Sequence, residues 1–159
     1  MTVVLVDGSN LYKALQARGL VGVGLTRLAE WLAPMGVRHK RFYTAPFRGH
    51  GRFLRALEAD GWTLRVLRTH KALREEGVDV ALAVDLVLLA GHGHKDFVVV
   101  SGDGDLAPAV EVARILGARV TVAQFQDLLS RHLVQAADGV VLLDAAPWEA
   151  LGWQKEVVA

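Results

Sequence analysis

The sequence contains no cysteine. This excludes a disulfide framework, a thiolate zinc site and a cysteine nucleophile, so any metal chemistry must use oxygen or imidazole ligands. Also missing is any apolar run of about 18 residues free of a charge or glycine, the length a membrane span needs. Met1 leads directly into a strand-like segment, with no basic, then apolar, then small-residue leader before it. The expectation is a soluble, unexported, cytoplasmic protein with no membrane partner. Proline is scarce, with four copies scattered at Pro34, Pro46, Pro108 and Pro147. No low-complexity linker and no internal repeat divides the chain.

What remains is apolar and regularly punctuated. The 159 residues are 52% hydrophobic, enough for one domain with a substantial buried core and too few for a second. Short apolar runs alternate with helical patterns, which argues for parallel strands joined by crossover helices; the class is α/β. Strands are expected at 2–7, 38–44, 62–67, 96–101, 118–123 and, briefly, 139–143. Helices are expected at 10–18, 25–34, 49–60, 79–90, 105–116 and 127–134. Gly36, Gly61 and Gly117 each separate a helical pattern from a following strand, where the backbone that ends a helix favours glycine. The domain is expected to span 1–146. The tail, 147–159, carries Trp148 and Trp153 in a weak helical pattern and is expected to pack back on the domain or to meet a second copy in a homodimer.

Charge is unevenly distributed. The whole chain carries +1, but residues 38–74 hold ten Lys or Arg against Glu58 and Asp60, a formal +8 that leaves −7 elsewhere. Interleaved with Phe42, Tyr43, Phe47, Phe53 and Trp62, this segment suits a polyanion-binding face. It equally suits a plain arginine-rich surface.

Three stretches put carboxylates where an open α/β sheet carries its site, beyond the carboxyl ends of strands. In "VVLVDGSNLY", residues 3–12, Asp7 follows an apolar strand and Asn10 comes one turn later, so both side chains can face the space above it. A plainer role for Asp7 or Ser9 is to cap the next helix. In "FVVVSGDGDLAPAV", residues 97–110, Ser101, Asp103 and Asp105 alternate with two glycines that let the backbone turn tightly. Two crowded carboxylates raise each other's pKa, and a divalent ion removes that penalty. In "EEGVDVALAVDLVLLAG", residues 75–91, only Asp79 and Asp85 interrupt the apolar run from Val78 to Ala90, so the helix is expected to be buried nearly all round. Asp85 lies six residues past Asp79, about 120° around the helix, and is expected either to back the site from behind or to serve the structure.

Asp7, Asp79, Asp103, Asp105 and Asn10 are all hard oxygen donors. Such a set suits Mg²⁺ or Mn²⁺, which bridge carboxylates to phosphate oxygens, better than zinc. Together with a basic, aromatic segment it points to metal-assisted hydrolysis of a nucleic-acid backbone. The six histidines, His39, His50, His70, His92, His94 and His132, show no ligand spacing with these acids and read as surface residues.

At these residues the sequence resembles the NYN-domain family, in the LabA-like branch of the PIN-like ribonuclease superfamily. The matching pieces are "VLVDGSNLY" at 4–12, "GVDVALAVDLV" at 77–87 and "VVVSGDGDLAPAV" at 98–110, in family order. The resemblance covers residues 2 to about 144 and implies a three-layer α/β/α fold with a central, mainly parallel sheet in the strand order 3-2-1-4-5. It implies acidic family positions at Asp7, Asp79, Asp103 and Asp105, an asparagine position at Asn10, and a later aspartate position at Asp85. It also implies cleavage of RNA with Mg²⁺ or Mn²⁺. The stretch before "GVD" departs from the family, reading "KALREEG", so Lys71 or Arg74 would have to supply the nearby cation.

The reading that follows is a metal-dependent endoribonuclease acting on single-stranded RNA. Water activated by an ion on Asp7, Asp79, Asp103 and Asp105 would leave 5′-phosphate and 3′-hydroxyl ends. Asn10 would orient a water or substrate oxygen, Ser9 and Ser101 would assist by hydrogen bonding, and Arg48, Arg52, Lys71 and Arg74 would contact phosphates. The alternative is a non-catalytic RNA- or protein-binding module keeping the acids as a structural or vestigial metal site. Other acidic motifs match only in part: the metal-adhesion motif of von Willebrand A-type domains needs a serine where Leu11 stands, and a Toprim pair lacks its glutamate motif.

Overall fold

The six expected strands become one parallel sheet, and the helical patterns between them become crossovers on its faces. The computed structural model describes residues 1–22, 24–46, 50–67 and 77–156. In chain order the elements are β1 (Thr2–Asp7), α1 (Gly8–Ala17), β2 (Leu20–Gly22), α2 (Leu25–Leu32), β3 (Val37–Thr44), α3 (His50–Ala59) and β4 (Thr63–Val66). Then follow α4 (Val78–Gly91), β5 (Asp96–Val100), α5 (Ala107–Ile115), β6 (Arg119–Gln124), α6 (Arg131–Ala136), β7 (Gly139–Leu142) and β8 (Trp153–Lys155). Gly36, Gly61 and Gly117 take φ of 105°, 89° and 96° between helix and strand, the left-handed conformation that favours glycine at a helix end.

The main sheet has six strands in the order β4-β3-β1-β5-β6-β7, and every neighbouring pair is parallel. It differs from the five-strand order implied by the family resemblance in one respect: β7 adds a sixth strand beyond β6. Strand β1 lies in the middle, fully buried along its length, as a strand covered on both faces must be. Alternate side chains serve opposite layers. Val4 and Val6 join Leu11, Leu15, Leu28, Leu54 and Leu57 of α1, α2 and α3, whereas Val3 and Leu5 join Leu82, Leu86, Val110 and Leu133 of α4, α5 and α6. The result is the three-layer α/β/α architecture. No helix among the described residues is long and apolar enough to cross a membrane.

Two expectations are corrected. Among the described residues the C-terminal segment forms no α-helix: β8 pairs antiparallel with β2, a strand the sequence pattern does not signal, and buries Trp153 against α1 and α2 residues. A three-residue strand has too little periodicity to signal itself. Nor is α4 buried all round. Leu82, Asp85, Leu86 and Leu89 face the sheet, but Val80, Val84 and Leu88 remain 60%, 51% and 54% exposed.

The basic segment also resolves differently from a stacking platform. Phe42, Tyr43 and Trp62 are buried in the core, Phe53 packs partly buried against it, and Phe47 lies outside the described residues. Phe42, Tyr43, Phe53 and Trp62 are core components.

Candidate active site

The parallel arrangement brings the carboxyl ends of β1 and β5 side by side, and the acid-bearing turns that follow them converge above the sheet. Asp7 ends β1 and is buried. Its Oδ1 accepts the Asn10 backbone N–H at 3.1 Å, capping α1, and its Oδ2 accepts the Ser101 hydroxyl at 3.5 Å. Ser101 in turn accepts the Asp103 N–H at 3.2 Å. One hydroxyl thus ties the acidic turn of β1 to that of β5. Asp103 Oδ1 accepts the Asp105 N–H at 2.9 Å and caps the short 3₁₀ turn Gly104–Leu106.

Helix α4 supplies the third side. Asp79 sits in its first turn, and Asp79, Asp103 and Asp105 each offer a carboxylate oxygen within 4.8 Å of the others. Three carboxylates this close together are a donor set that a hard divalent ion could share. The three acids range from half-buried to exposed, open enough to share the ion with water and substrate. Among the described residues no histidine belongs to this cluster. Asp7 is not part of the triad but lines the same cleft, about 410 Å³, with Ser9, Asn10, Lys13, Gly77, Val78, Asp79 and Asp103. Ser9 Oγ also accepts the Ala45 N–H at 3.5 Å, joining the cleft to the end of β3.

Asn10 is oriented from behind. Its Oδ1 accepts the Gly102 N–H at 3.3 Å and Nε2 of Gln124 at 2.5 Å. Gln124 is fully buried and accepts the Phe125 N–H at 2.9 Å through Oε1, so its amide can only donate toward Asn10. With the carbonyl end occupied, the Asn10 amide nitrogen is the pole left for the cleft.

Gly8 and Gly102 act by absence of a side chain, not by turning, as neither has positive φ. A Cβ on Gly8 would stand 2.2 Å from the Phe42 ring, and one on Gly102 would stand 2.0 Å from the Leu128 carbonyl oxygen. Both permit close packing of the site's backbone.

Other sequence-selected residues fall elsewhere. Asp85 is buried on the sheet side of α4, where Oδ2 accepts the Tyr43 hydroxyl at 2.7 Å and Arg41 at 3.3 Å, while Arg65 approaches Oδ1 at 3.6 Å. Asp85 thus ties α4 to β3 and β4. Burial, and next the bond to Asp85, push the Tyr43 phenol above its ordinary range. Arg52 is exposed on α3 and does not line the acidic cleft. Arg48, Lys71 and Arg74 lie outside the described residues.

Lys13 and Gln124 were not singled out by the sequence. Lys13 stands three residues after Asn10 in "NLYK", a spacing that puts both on one helix face. Gln124 ends an apolar strand, "RVTVAQ", much as Asp7 does. A larger groove of about 900 Å³, lined by Arg18, Phe125, Trp148 and Trp153 among others, contains none of the acids of the triad.

Comparison with known proteins adds three findings. Residues 1–144 match the family model described as NYN domain. No curated protein matches the chain. Among solved structures, the chain is similar to VPA0982 from Vibrio parahaemolyticus RIMD 2210633, a protein of unknown function, with a TM-score of 0.71 and 22% identity over 91% of this chain and 93% of that one. At that identity the likeness concerns the fold.

Proposed function

Because the chain belongs to the NYN-domain family, of PIN-like nuclease type, we propose that it is a metal-dependent endoribonuclease that hydrolyses single-stranded RNA to 5′-phosphate and 3′-hydroxyl ends. The observation that carries this reading is the triad of Asp79, Asp103 and Asp105 with oxygens within 4.8 Å of one another, beside Asp7 in the same cleft. An all-carboxylate set favours Mg²⁺ or Mn²⁺ over softer metals. Bound there, such an ion supplies Lewis-acid polarisation of a phosphoryl oxygen and acidifies water.

The protein's own groups do the rest. Asp79, Asp103 and Asp105 would hold the ion, and Asp7, kept in place by Ser101 and by its cap on α1, would accept the proton of the attacking water. The Asn10 amide, turned outward by Gly102 and Gln124, donates to a phosphate oxygen. Lys13, on the same cleft, offsets the repulsion between an incoming phosphate and the acids.

The test is cleavage of a labelled single-stranded RNA with Mg²⁺ or Mn²⁺, using wild type, Asp79→Asn, Asp103→Asn and Lys13→Ala. Either aspartate variant should lose at least about 100-fold in rate. Lys13→Ala should weaken binding and reduce the slope of log affinity against log salt by about one. Equal cleavage by wild type and both aspartate variants overturns the reading.

A second reading has one observation in its favour. Both oxygens of Asp7 already serve packing, one as helix cap and one to Ser101, as they would in a non-catalytic RNA- or protein-binding module with a structural ion. Mn²⁺ binding by calorimetry without cleavage of any RNA tested would favour it.

A further inference from the structure

Helix α4 leaves an apolar stripe uncovered. Val80, Val84 and Leu88 recur every fourth residue, so they line one side of the helix over about 12 Å, and each is more than half exposed. Around them stand Ala81, Ala83 and Val87, partly buried and without polar atoms. From Val80 to Gly91 the helix has one charged residue, Asp85, and it points inward. A helix that covers a sheet ordinarily turns a polar face to water, as α2 does with Arg27 and Glu30. On the neighbouring α5 and at its C-cap, Val112 and Leu116, 40% and 42% exposed, add to the apolar surface.

We propose that the outer face of α4 is the interface of a twofold-symmetric homodimer, with the two copies of α4 packed antiparallel. Three observations select a second copy as the occupant. The stripe is nearly symmetric about its middle, so an axis at Val84 sets Val80 of one copy against Leu88 of the other, as an isologous contact requires. The amino end of the helix is acidic, with Asp79, Asp103 and Asp105 gathered there, while Lys95 follows the carboxyl end. Antiparallel pairing brings these unlike ends together and opposes the two helix dipoles favourably. Val80, Val84, Leu88, Val112 and Leu116, each at least 40% exposed, form the apolar centre of a contact that flanking side chains extend toward the roughly 800 Å² per partner of a standard interface. In such a dimer the two acidic clefts stand about 20 Å or more apart, one at each end of the paired helices.

The absence of cysteine makes a direct test simple. A disulfide needs Cβ atoms within about 4.5 Å, so Val84→Cys should cross-link two copies at the axis. Its rate should exceed by at least about tenfold that of Met35→Cys, at an 82% exposed position off α4. Analytical ultracentrifugation over micromolar to hundred-micromolar concentration should show a wild-type dimer. Val84→Glu should weaken it at least about thirtyfold, since both copies carry the substitution at the centre. An equal mixture of Val84→Glu and Val84→Lys should restore it. A wild type that stays monomeric throughout, or equal cross-linking by the two cysteine variants, overturns the proposal. Circular dichroism confirms that the charged variants are folded, and should one fail, the cross-linking comparison decides. No arm reads nuclease activity, so the outcome is independent of the function proposed above.

Discussion

At Asp7 a single carboxylate answers to packing and chemistry together. Oδ1 caps α1 through the Asn10 N–H, and Oδ2 meets the Ser101 hydroxyl that also holds the Asp103 backbone. The two demands separate under substitution. Asn caps helices about as well as Asp, so Asp7→Asn should leave stability within about 1 kcal/mol of wild type while metal-dependent cleavage falls at least about 100-fold. Asp7→Ala should cost about a further 1 kcal/mol in urea melts through loss of the cap. A drop in stability for Asp7→Asn as large as for Asp7→Ala would mean that the charge itself holds the fold. The acids and Asn10 were legible in the sequence because each follows an apolar strand or opens a helix. Gln124 was not, because its role depends on meeting Asn10 across 114 positions of chain. The glycines were legible as residues but not in their role: Gly8 and Gly102 make room for Phe42 and Leu128, which no local pattern reveals.

Elements are held together by a buried polar bridge of a different kind. Asp85 of α4 accepts from Tyr43 and Arg41 of β3, with Arg65 of β4 close by. The arginines are partly exposed, at 26% and 45%, so solvent screens their share; the buried phenol is the stronger contact. Tyr43→Phe should destabilise by about 2 kcal/mol, as expected for a hydrogen bond to a charged group. Burial raises the phenols of both Tyr43 and Tyr12 above their ordinary value. A group whose folded pKa is raised stabilises fully below its unfolded pKa, about 10 for tyrosine, and loses that contribution as pH rises beyond it. Thermal melts should therefore be flat in this respect at pH 8 and fall above about pH 10. The fall should be smaller in the Tyr12→Phe, Tyr43→Phe double variant. Tyr12 OH, buried with no hydrogen-bond partner among the described residues, should contribute little at neutral pH when removed. The sequence marked Asp85 as unable to share a face with Asp79 through helical geometry alone. That its partners are a tyrosine and two arginines follows from α4 lying across β3 and β4.

Across the whole molecule, the two ends of the structure's second sheet lie far apart in sequence. Strand β8 returns to β2, and Trp153 enters a cluster with Tyr12 and Trp148, at ring separations of 6.1 and 5.9 Å. Trp153→Ala should cost about 3–5 kcal/mol by urea unfolding, because so large a buried side chain leaves a cavity; a loss under about 1 kcal/mol would show that the returning segment is only loosely docked. Local periodicity determined the α/β class, the six main strands, the six helices and the carboxylates beyond the strand ends, since alternation, helix stops and acid placement are all short-range properties. Only the tertiary structure decided which of these met. Parallel pairing of β1 with β5 joined Asp7 to Ser101, α4 brought Asp79 to Asp103 and Asp105, and α1 turned Lys13 into their cleft. The same packing turned Asp85, Phe42, Tyr43 and Trp62 inward, and left one side of α4 apolar and exposed. Those outcomes depend on contacts between residues tens of positions apart, and a sheet with two faces can bury only one side of each helix laid upon it.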